Sequence, residues 1–468
     1  MSPSLLKIYH GMPPWAQSVA ATLRGMQLRR WRYSAATEQL VREAHARESW
    51  NESQWKSFRE ESLRRLLERA RNRVPYYRDY WNGRQDEWEK LENWPILEKE
   101  ALRSNPLAFV ADDCDVRRMV PEHTSGSSGK PLHLWWSRET THDWYGLFEA
   151  RWKRWYGVSR HDRWGILGGQ LVAPVERSKP PYWVWNAAMH QLYLSAFHMT
   201  AQSIPYYLDE IERRELKYLW GYSSAMFELA KVANSLGRKI PLKVAIANAE
   251  PLYAYQRQAM EEAFCCPVRE TYGMAEMAAA ASECEHGRLH LWPEVGVIEA
   301  IDEHGSEVEP GEHGDLIATG LFNQDMPLIR YRVGDRIVRA EASATCPCGR
   351  TLPLLQSVEG RLDDMILTPD GRRIGRLDVV FKADFPICGA QVIQREEGKL
   401  LVKIVRAPTY TDSDGQRLVE RFRDYVGPME IRIEEVAELT KGANGKFRGV
   451  ISTLSGDTRL PTENRTAR

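Results

Sequence analysis

The sequence predicts an α/β fold: a large multi-layer N-terminal domain with sheets flanked by helices, a β-rich subdomain, and a small α+β C-terminal domain. A length of 468 residues exceeds one ordinary domain. Short apolar strands alternate with helices between residues 164 and 272, which is typical of layered sheets. Past residue 290 the pattern becomes strand-rich. We expect a helical lead-in at 1–54, a large domain at 55–361 with its β-rich part at about 290–360, and a small domain at 362–468.

Composition excludes several classes of function. The 64 basic and 64 acidic residues cancel, so no global field favours nucleic acid. The sequence contains neither an apolar window of about 18 residues nor a signal-peptide pattern. Seven cysteines, an odd number without disulfide-framework spacing, agree with a reducing compartment. A cytoplasmic location and no nucleic-acid partner are predicted.

The first forty-five residues are locally basic and follow an amphipathic helical pattern. Leu23, Met26, Leu28 and Trp31 alternate there with arginines. Such a helix either docks on the protein body or lies on a membrane surface, and docking is the favoured reading.

Helices and strands follow from apolar spacing and from breakers. A helix over 55–73 ends at Val74-Pro75, because proline cannot continue it. Further helices are predicted at 96–104, 140–156, up to 234, 253–264 and 415–425. Strands are predicted at 118–121, 164–167, 216–220, 243–247, 268–272, 295–300, 314–319, 329–331, 336–338, 400–405 and 430–435.

A loop of small residues at 123–131 has the chemistry of a polyphosphate cradle. Glycine lets backbone N–H groups turn toward an anion, and hydroxyl groups and a lysine add donors. It differs from a P-loop, since Pro131 follows Lys130 where that motif needs Ser or Thr. A flexible Gly/Ser turn is the alternative reading. The cradle residues are Thr124, Ser125, Gly126, Ser127, Ser128, Gly129 and Lys130.

Further segments supply the other groups that a nucleotide site needs. Tyr272 offers an aromatic face and Glu276 a carboxylate, a ligand type that Mg²⁺ prefers. Asp335, expected just after a glycine turn, has a carboxylate suited to ribose hydroxyls; a turn-stabilising role is the alternative. Arg361 adds a cation. Lys446 follows Asn-Gly, a typical hairpin turn.

These five segments, in this order, resemble the adenylate-forming superfamily of acyl-CoA ligases, adenylation domains and luciferases. Residues 326–335, Met-Pro-Leu-Ile-Arg-Tyr-Arg-Val-Gly-Asp, are particularly similar to the phenylacetate–CoA ligase branch. The basic N-terminal lead-in resembles relatives assigned to capsular polysaccharide biosynthesis. The resemblance covers nearly the whole chain from about residue 55.

The resemblance implies a role for each segment. Residues 124–130 would bind the ATP phosphates, and Ala249, Glu250 and Pro251 would lie against adenine. Residues 272–276, including Gly273, would hold adenine, acyl group and Mg²⁺. Asp335 would bind ribose with Arg361 assisting. Asp363 would be the hinge of a mobile C-terminal domain that carries the catalytic Lys446.

The implied reaction joins a carboxylic acid to ATP and passes the acyl group to coenzyme A or a carrier protein. After the hinge, relatives have a short Arg-Gly turn that lines the pantetheine channel, whereas this chain has Thr-Pro-Asp-Gly-Arg-Arg at 368–373. The second acceptor therefore stays open: a thiol, an amine or a sugar hydroxyl. A non-catalytic nucleotide-binding scaffold is the alternative from another class. A homodimer is compatible with the sequence.

By position in the fold, Trp164, Gly168, Gly169, Tyr222 and Ser223 would form the acyl pocket. Gly168-Gly169 either makes room for a bulky acid or forms a plain tight turn.

One further cluster suggests a metal. Cys284, His290, Cys346 and Cys348 form two short pairs that can converge on one tetrahedral ion, and similar positions in some phenylacetate-ligase-like proteins form a structural zinc site. His286 competes with His290 as ligand. Free thiols and a surface histidine are the alternative.

Overall fold

The computed structural model describes residues 8–123, 132–170, 172–174, 177–341, 343–361, 366–369, 373–374, 377, 380, 385–440 and 447–454. These residues form two compact units. The larger unit takes in the described chain up to Ser357 except Gly334–Ile337, and the smaller unit takes in Gly334–Ile337 and the chain from Val358. The α/β fold class is confirmed.

A twelve-stranded sheet dominates the described part of the chain. A separate hairpin pairs β1 (Val120–His123) with β2 (His133–Trp136). The large sheet consists of β3 (Trp164–Gly168), β4 (Trp183–Asn186), β5 (Gln191–Ser195), β6 (Tyr218–Gly221), β7 (Val244–Ala247), β8 (Val268–Gly273), β9 (Ala280–Glu283), β10 (Leu289–Leu291), β11 (Gly296–Ile301), β12 (His313–Gly320), β13 (Tyr331–Arg339) and β14 (Leu354–Arg361). Their order across the sheet is β11-β12-β13-β14-β10-β9-β8-β7-β6-β3-β5-β4.

Five neighbouring strands, β5-β3-β6-β7-β8, run parallel. Strands β3 and β6 approach each other very closely at Gly221, where a Cβ atom would stand 1.9 Å from the Leu167 carbonyl oxygen. Only glycine fits such an approach. The next residue, Tyr222, donates its backbone N–H to that carbonyl at 2.9 Å. The ends of β3 and β6 are therefore locked side by side.

Helices cover the sheet of the larger unit. Helix α3 begins at a capping box in which Asn51 and Gln54 bond to each other's backbone N–H, and it ends before Pro75. A buried apolar cluster that includes Leu208, Met226 and Phe264 fills the space against the sheet. The described helices of this unit are α1 (Pro14–Arg32), α2 (Thr37–Arg47), α3 (Glu52–Arg73), α4 (Pro75–Trp81), α5 (Lys99–Ser104), α6 (Arg138–Trp152), α7 (Ile204–Arg213), α8 (Ser223–Ser235) and α9 (Ala254–Phe264).

A buried ion pair fastens helix α6 to the β-rich part of the larger unit. Both terminal nitrogens of Arg151 donate to the Glu294 carboxylate, at 2.7 and 2.8 Å, and Arg47 adds a third bond at 3.0 Å. Burial alone would raise the pKa of Glu294, but the two arginines lower it below its ordinary value. The carboxylate is thus charged and fully paired, the condition under which a buried charge is tolerated.

The smaller unit contains a four-stranded sheet and helix α10 (Asp412–Val426). The strands of this unit are β15 (Ile366–Leu367), β16 (Arg373–Ile374), β17 (Ile387–Glu396), β18 (Lys399–Arg406), β19 (Glu430–Glu435) and β20 (Val450–Ser452). The four-stranded sheet has the order β19-β18-β17-β20. Leu418, Phe422 and Val426 of the helix pack with Val402 and Ile404 of that sheet.

One local prediction needs correction. Residues 329–331 and 336–338 do not form two strands around a turn, since β13 runs unbroken over Tyr331–Arg339. Gly334, with a φ of +82°, is accommodated within the strand because glycine tolerates a positive φ. The N-terminal region is helical as predicted, and its helices α1 and α2 are separated by residues 33–36.

Within the described ranges, no helix has both the length and the apolar character needed to cross a membrane.

Candidate functional site

The loops predicted to bind ligand begin at the carboxyl ends of the parallel strands. Gly168 and Gly221 end β3 and β6, and Ala247 and Gly273 end β7 and β8. Because the strands are parallel and in register, the loops that follow them lie side by side, where ligands bind in open α/β sheets. The structure thus brings together Gly168, Gly169, Tyr222, Ser223, Ala249, Glu250, Pro251, Tyr272 and Gly273.

Glu250 is held by the start of helix α8. Its Oε2 accepts a hydrogen bond from the Ser224 backbone N–H at 2.9 Å, and the Ser223 hydroxyl donates to the Pro251 carbonyl at 2.7 Å. A carboxylate is favourable at a helix N-terminus. Ala249 has a φ of +65°, which is unusual for a residue with a side chain. The segment 249–251 is therefore fixed by the helix beside it.

Tyr222 and Gly169 meet within the predicted acyl pocket. Burial raises the pKa of Tyr222, and the Glu250 carboxylate raises it further, while a hydrogen bond with the Gly169 backbone opposes the shift. The phenol is therefore neutral at physiological pH and can act as a hydrogen-bond donor.

Trp164 must be removed from the predicted acyl pocket. It begins β3, whereas Gly168 ends that strand, so the two are about 13 Å apart along the strand. Its ring stacks on Tyr218 at 5.5 Å, and its indole N–H donates to the Met189 carbonyl at 3.1 Å. Trp164 is therefore a core residue at the opposite end of strand β3.

Glu276 is oriented by a tyrosine that the sequence did not single out. The Tyr331 hydroxyl donates to Glu276 Oε1 at 3.0 Å, and Tyr331 is completely buried. Tyr331 lies inside the segment 326–335 that resembles the phenylacetate–CoA ligase branch, and that membership was the available signal. Nearby, Gly273 packs so closely on Trp152 that a Cβ would stand 2.7 Å from the indole ring.

The predicted phosphate loop connects the two strands of the β1–β2 hairpin. Residues 124–131 themselves lie outside the described residues, but the pairing of His123 with His133 brackets them. Trp135 anchors the hairpin: its carbonyl accepts from Asn323 at 2.9 Å, and its N–H lies 3.3 Å from the Met326 sulfur. The hairpin base is thus bonded to the segment that begins at Met326.

The remaining predicted residues belong to β13, β14 and the smaller unit. Asp335 lies within β13 and Arg361 ends β14. Asp363 and Lys446 lie outside the described residues. The buried Gln391 side chain donates to the carbonyls of Thr440 and Arg448, at 3.0 and 2.9 Å. These bonds fasten the chain on both sides of the segment 441–446.

The four predicted zinc ligands converge. One ligand atom from each of Cys284, His290, Cys346 and Cys348 lies within 4.8 Å of every other. The Cys284 and Cys346 sulfurs are 3.6 Å apart, and Cys348 Sγ is 3.4 Å from His290 Nε2. Zinc with bonds of about 2.3 Å to sulfur separates ligand sulfurs by about 3.8 Å in a tetrahedron. The spacing fits such an ion.

The choice between the two histidines follows from their surroundings. His290 is buried, and its Nδ1 lies 3.3 Å from the Leu352 carbonyl, which leaves Nε2 for a ligand role. His286 is exposed and stands outside the convergent group. Its backbone N–H points to Cys284 Sγ at 3.4 Å.

Three comparisons with known proteins place this geometry in context. Residues 366–453 match the CapK C-terminal domain. The chain is 26% identical over 255 residues to Protein CapK of Staphylococcus aureus, which covers 53% of this chain and 54% of that protein. It is 24% identical over 264 residues to a phenylacetate-coenzyme A ligase of Thermus thermophilus, covering 49% of this chain and 58% of the ligase. The matches therefore span little more than half the length of these two relatives.

A solved structure extends the comparison across the fold. The 2-hydroxyisobutyryl-CoA ligase in its postadenylation state, in complex with R3-HIB-AMP, has a TM-score of 0.69 at 18% identity. The match covers 87% of this chain and 92% of that one. The fold is that of the adenylate-forming ligases. In sequence the chain is similar to CapK and to the phenylacetate–CoA ligases, as the sequence motifs predicted.

Proposed function

We propose that this chain activates a carboxylic acid with ATP, forms an acyl-adenylate with release of pyrophosphate, and then transfers the acyl group to a thiol. This proposal rests on the loops that follow β3, β6, β7 and β8, which lie side by side because these strands are parallel neighbours. A solved ligase of the same fold holds an acyl-adenylate, R3-HIB-AMP, which supports the same chemistry here.

Each group in the proposal has a defined task. Residues 124–130 bind the ATP phosphates, and residues 249–251 with Tyr272 hold adenine. Asp335, assisted by Arg361, binds ribose. Glu276 is the proposed Mg²⁺ ligand; the hydrogen bond from Tyr331 fixes one carboxylate oxygen and orients the other. The acyl group lies among Gly168, Gly169, Tyr222 and Ser223.

The reaction follows from charge. A carboxylate oxygen attacks the α-phosphorus of ATP, the bond to the pyrophosphate oxygen breaks, and negative charge builds on the phosphoryl oxygens. In the proposed reaction the Lys446 ammonium neutralises that charge, and Mg²⁺ would screen the departing pyrophosphate when bound. In this scheme Asp363 is the hinge about which the lysine withdraws before the second step.

Coenzyme A is the favoured acceptor in the second step. The name of the Thermus thermophilus relative, a phenylacetate-coenzyme A ligase, supports it. A carrier protein, an amine or a sugar hydroxyl is the competing acceptor, since residues 368–373 depart from the relatives' pattern. Product formation that depends on added coenzyme A distinguishes the first from the others.

Carboxylate-dependent ATP–pyrophosphate exchange tests the first step. With Mg²⁺ and a panel of aryl, fatty and sugar-derived acids, exchange is expected with one acid class. Lys446→Ala should lower it by about 100-fold or more while ATP binding persists. Lys441→Ala, in the same short segment, is the matched control and should retain exchange. ATP binding without exchange for any acid would favour the scaffold alternative.

Tyr331→Phe tests the proposed role of Glu276. Loss of one hydrogen bond should raise the Mg²⁺ concentration for half-maximal exchange about 2- to 10-fold, because the carboxylate is less well oriented. Tyr218→Phe is the matched control: it removes the hydroxyl of another fully buried tyrosine, which bonds to the Ser159 carbonyl. An unchanged Mg²⁺ requirement in Tyr331→Phe, with normal folding, would remove Tyr331 from the site.

We also propose that Cys284, His290, Cys346 and Cys348 bind a structural zinc ion. Four protein ligands leave no open position for substrate, so the ion would stabilise the fold. It would join the β9–β10 hairpin, which supplies Cys284 from its turn and His290 from β10, to the segment between β13 and β14, which supplies Cys346 and Cys348.

Metal analysis of the purified chain checks this proposal. We expect about one zinc per chain, falling to about a tenth or less in Cys348→Ser together with a lower melting temperature. Cys265→Ser changes an exposed cysteine outside the cluster and should leave zinc content and melting temperature unchanged. A wild-type chain without zinc after purification in zinc-supplemented buffer would contradict the proposal.

A further inference from the structure

Helix α1 (Pro14–Arg32) turns its polar side toward the protein. Ser18 Oγ accepts a bond from the Trp185 backbone N–H at 3.4 Å, and Thr22 Oγ1 accepts one from the Ala187 N–H at 3.1 Å. The side chain of Gln17 is fully buried. Gly25 lies so close to Asn186 that a Cβ would overlap it. The helix is thus docked on the edge of the large sheet by small and polar residues.

The opposite side of the same helix is apolar and exposed. Trp15 is 71% exposed, Val19 51%, Leu23 62% and Met26 51%. Their spacing of four, four and three residues places them on one helical face. Ile8, just before the helix, is 60% exposed. An ordinary surface helix buries such a face, whereas here it is exposed.

These exposures are concentrated in one place. Of the nine strongly exposed large apolar side chains found among the described residues, five fall between Ile8 and Met26. Single exposed apolar residues are normal, whereas a contiguous patch marks an interaction surface.

The charge carried by the N-terminal segment itself is of one sign. The first 37 residues contain no aspartate or glutamate but contain Lys7 and four arginines, although the whole chain is neutral. Arg30 and Arg138 line an open hollow together with Leu23, Met26 and Trp31. Apolar side chains flanked by arginine suit a surface that combines hydrocarbon with negative charge.

We propose that this outer face, formed by Ile8, Trp15, Val19, Leu23 and Met26 with the neighbouring arginines, docks on an anionic phospholipid membrane. The apolar side chains enter the boundary between headgroups and acyl chains, and the arginines bind lipid phosphates. A second copy of the chain fits less well, because a symmetric contact would bring the two arginine-rich faces together. The proposal is independent of the catalytic function.

Vesicle flotation of the full chain tests the docking surface. At low salt the wild type should float with vesicles of phosphatidylcholine and phosphatidylglycerol, and about tenfold less with phosphatidylcholine alone. The double variant Trp15→Ser/Leu23→Ser should bind the anionic vesicles at least about tenfold more weakly. Arg24→Gln/Arg30→Gln should weaken binding about tenfold, as should raised salt.

A matched control separates this face from general apolar exposure. Leu107→Ser/Leu236→Ser removes two leucines of similar exposure, 54% and 52%, and should bind vesicles like the wild type. Three results would overturn the proposal. The first is no flotation of the wild type, and the second is an equal loss of binding in Trp15→Ser/Leu23→Ser and Leu107→Ser/Leu236→Ser. The third is a wild-type dimer that binds no vesicles and that dissociates in Trp15→Ser/Leu23→Ser. An acidic protein as the occupant would likewise leave anionic vesicles unbound.

Discussion

The close pairing of β3 and β6 at Gly221 is the constraint on which the rest of the site depends. A carbonyl occupies the space where a side chain would begin, so the strands end at one level and their loops start together. Asn248 extends this alignment to β7, since its backbone N–H donates to the Gly221 carbonyl at 2.8 Å. A ligand that spans several loops requires this common starting point. A shift of one strand would move its loop by about 3.3 Å per residue.

Buried polar contacts then fix the loops against the elements behind them. Glu250 binds the start of helix α8, and Tyr331 binds Glu276. In the smaller unit, Gln391 bonds the backbone carbonyls of Thr440 and Arg448. In each of these cases a buried polar group holds a loop or a neighbouring backbone segment in place. Such support lowers the cost of ordering a site when its substrate binds.

The sequence was most informative where function depends on local chemistry. Strands β7 and β8 and the loops after them were predicted closely, because apolar runs followed by Asn-Ala-Glu-Pro and Tyr-Gly are local signals. The convergence of Cys284, His290, Cys346 and Cys348 was predicted for the same reason, because they form two short pairs in the sequence. Trp164 was misplaced because an apolar run does not show which end of a strand approaches a ligand. The bond from Tyr331 to Glu276 joins residues 55 positions apart, beyond the reach of periodicity. The exposed apolar face of helix α1 could not be predicted either, since residue spacing defines the faces of a helix without showing which one docks.

The proposed reaction begins when a carboxylate of the substrate attacks the α-phosphorus of ATP. The most direct test uses an acid that supports exchange, labelled with oxygen-18 in its carboxylate, followed by mass spectrometry of the nucleotide product after acyl transfer. AMP that carries one oxygen-18 atom is expected, because the attacking oxygen stays on phosphorus when the acyl group leaves. Unlabelled AMP, or ADP with the label in inorganic phosphate, would contradict it.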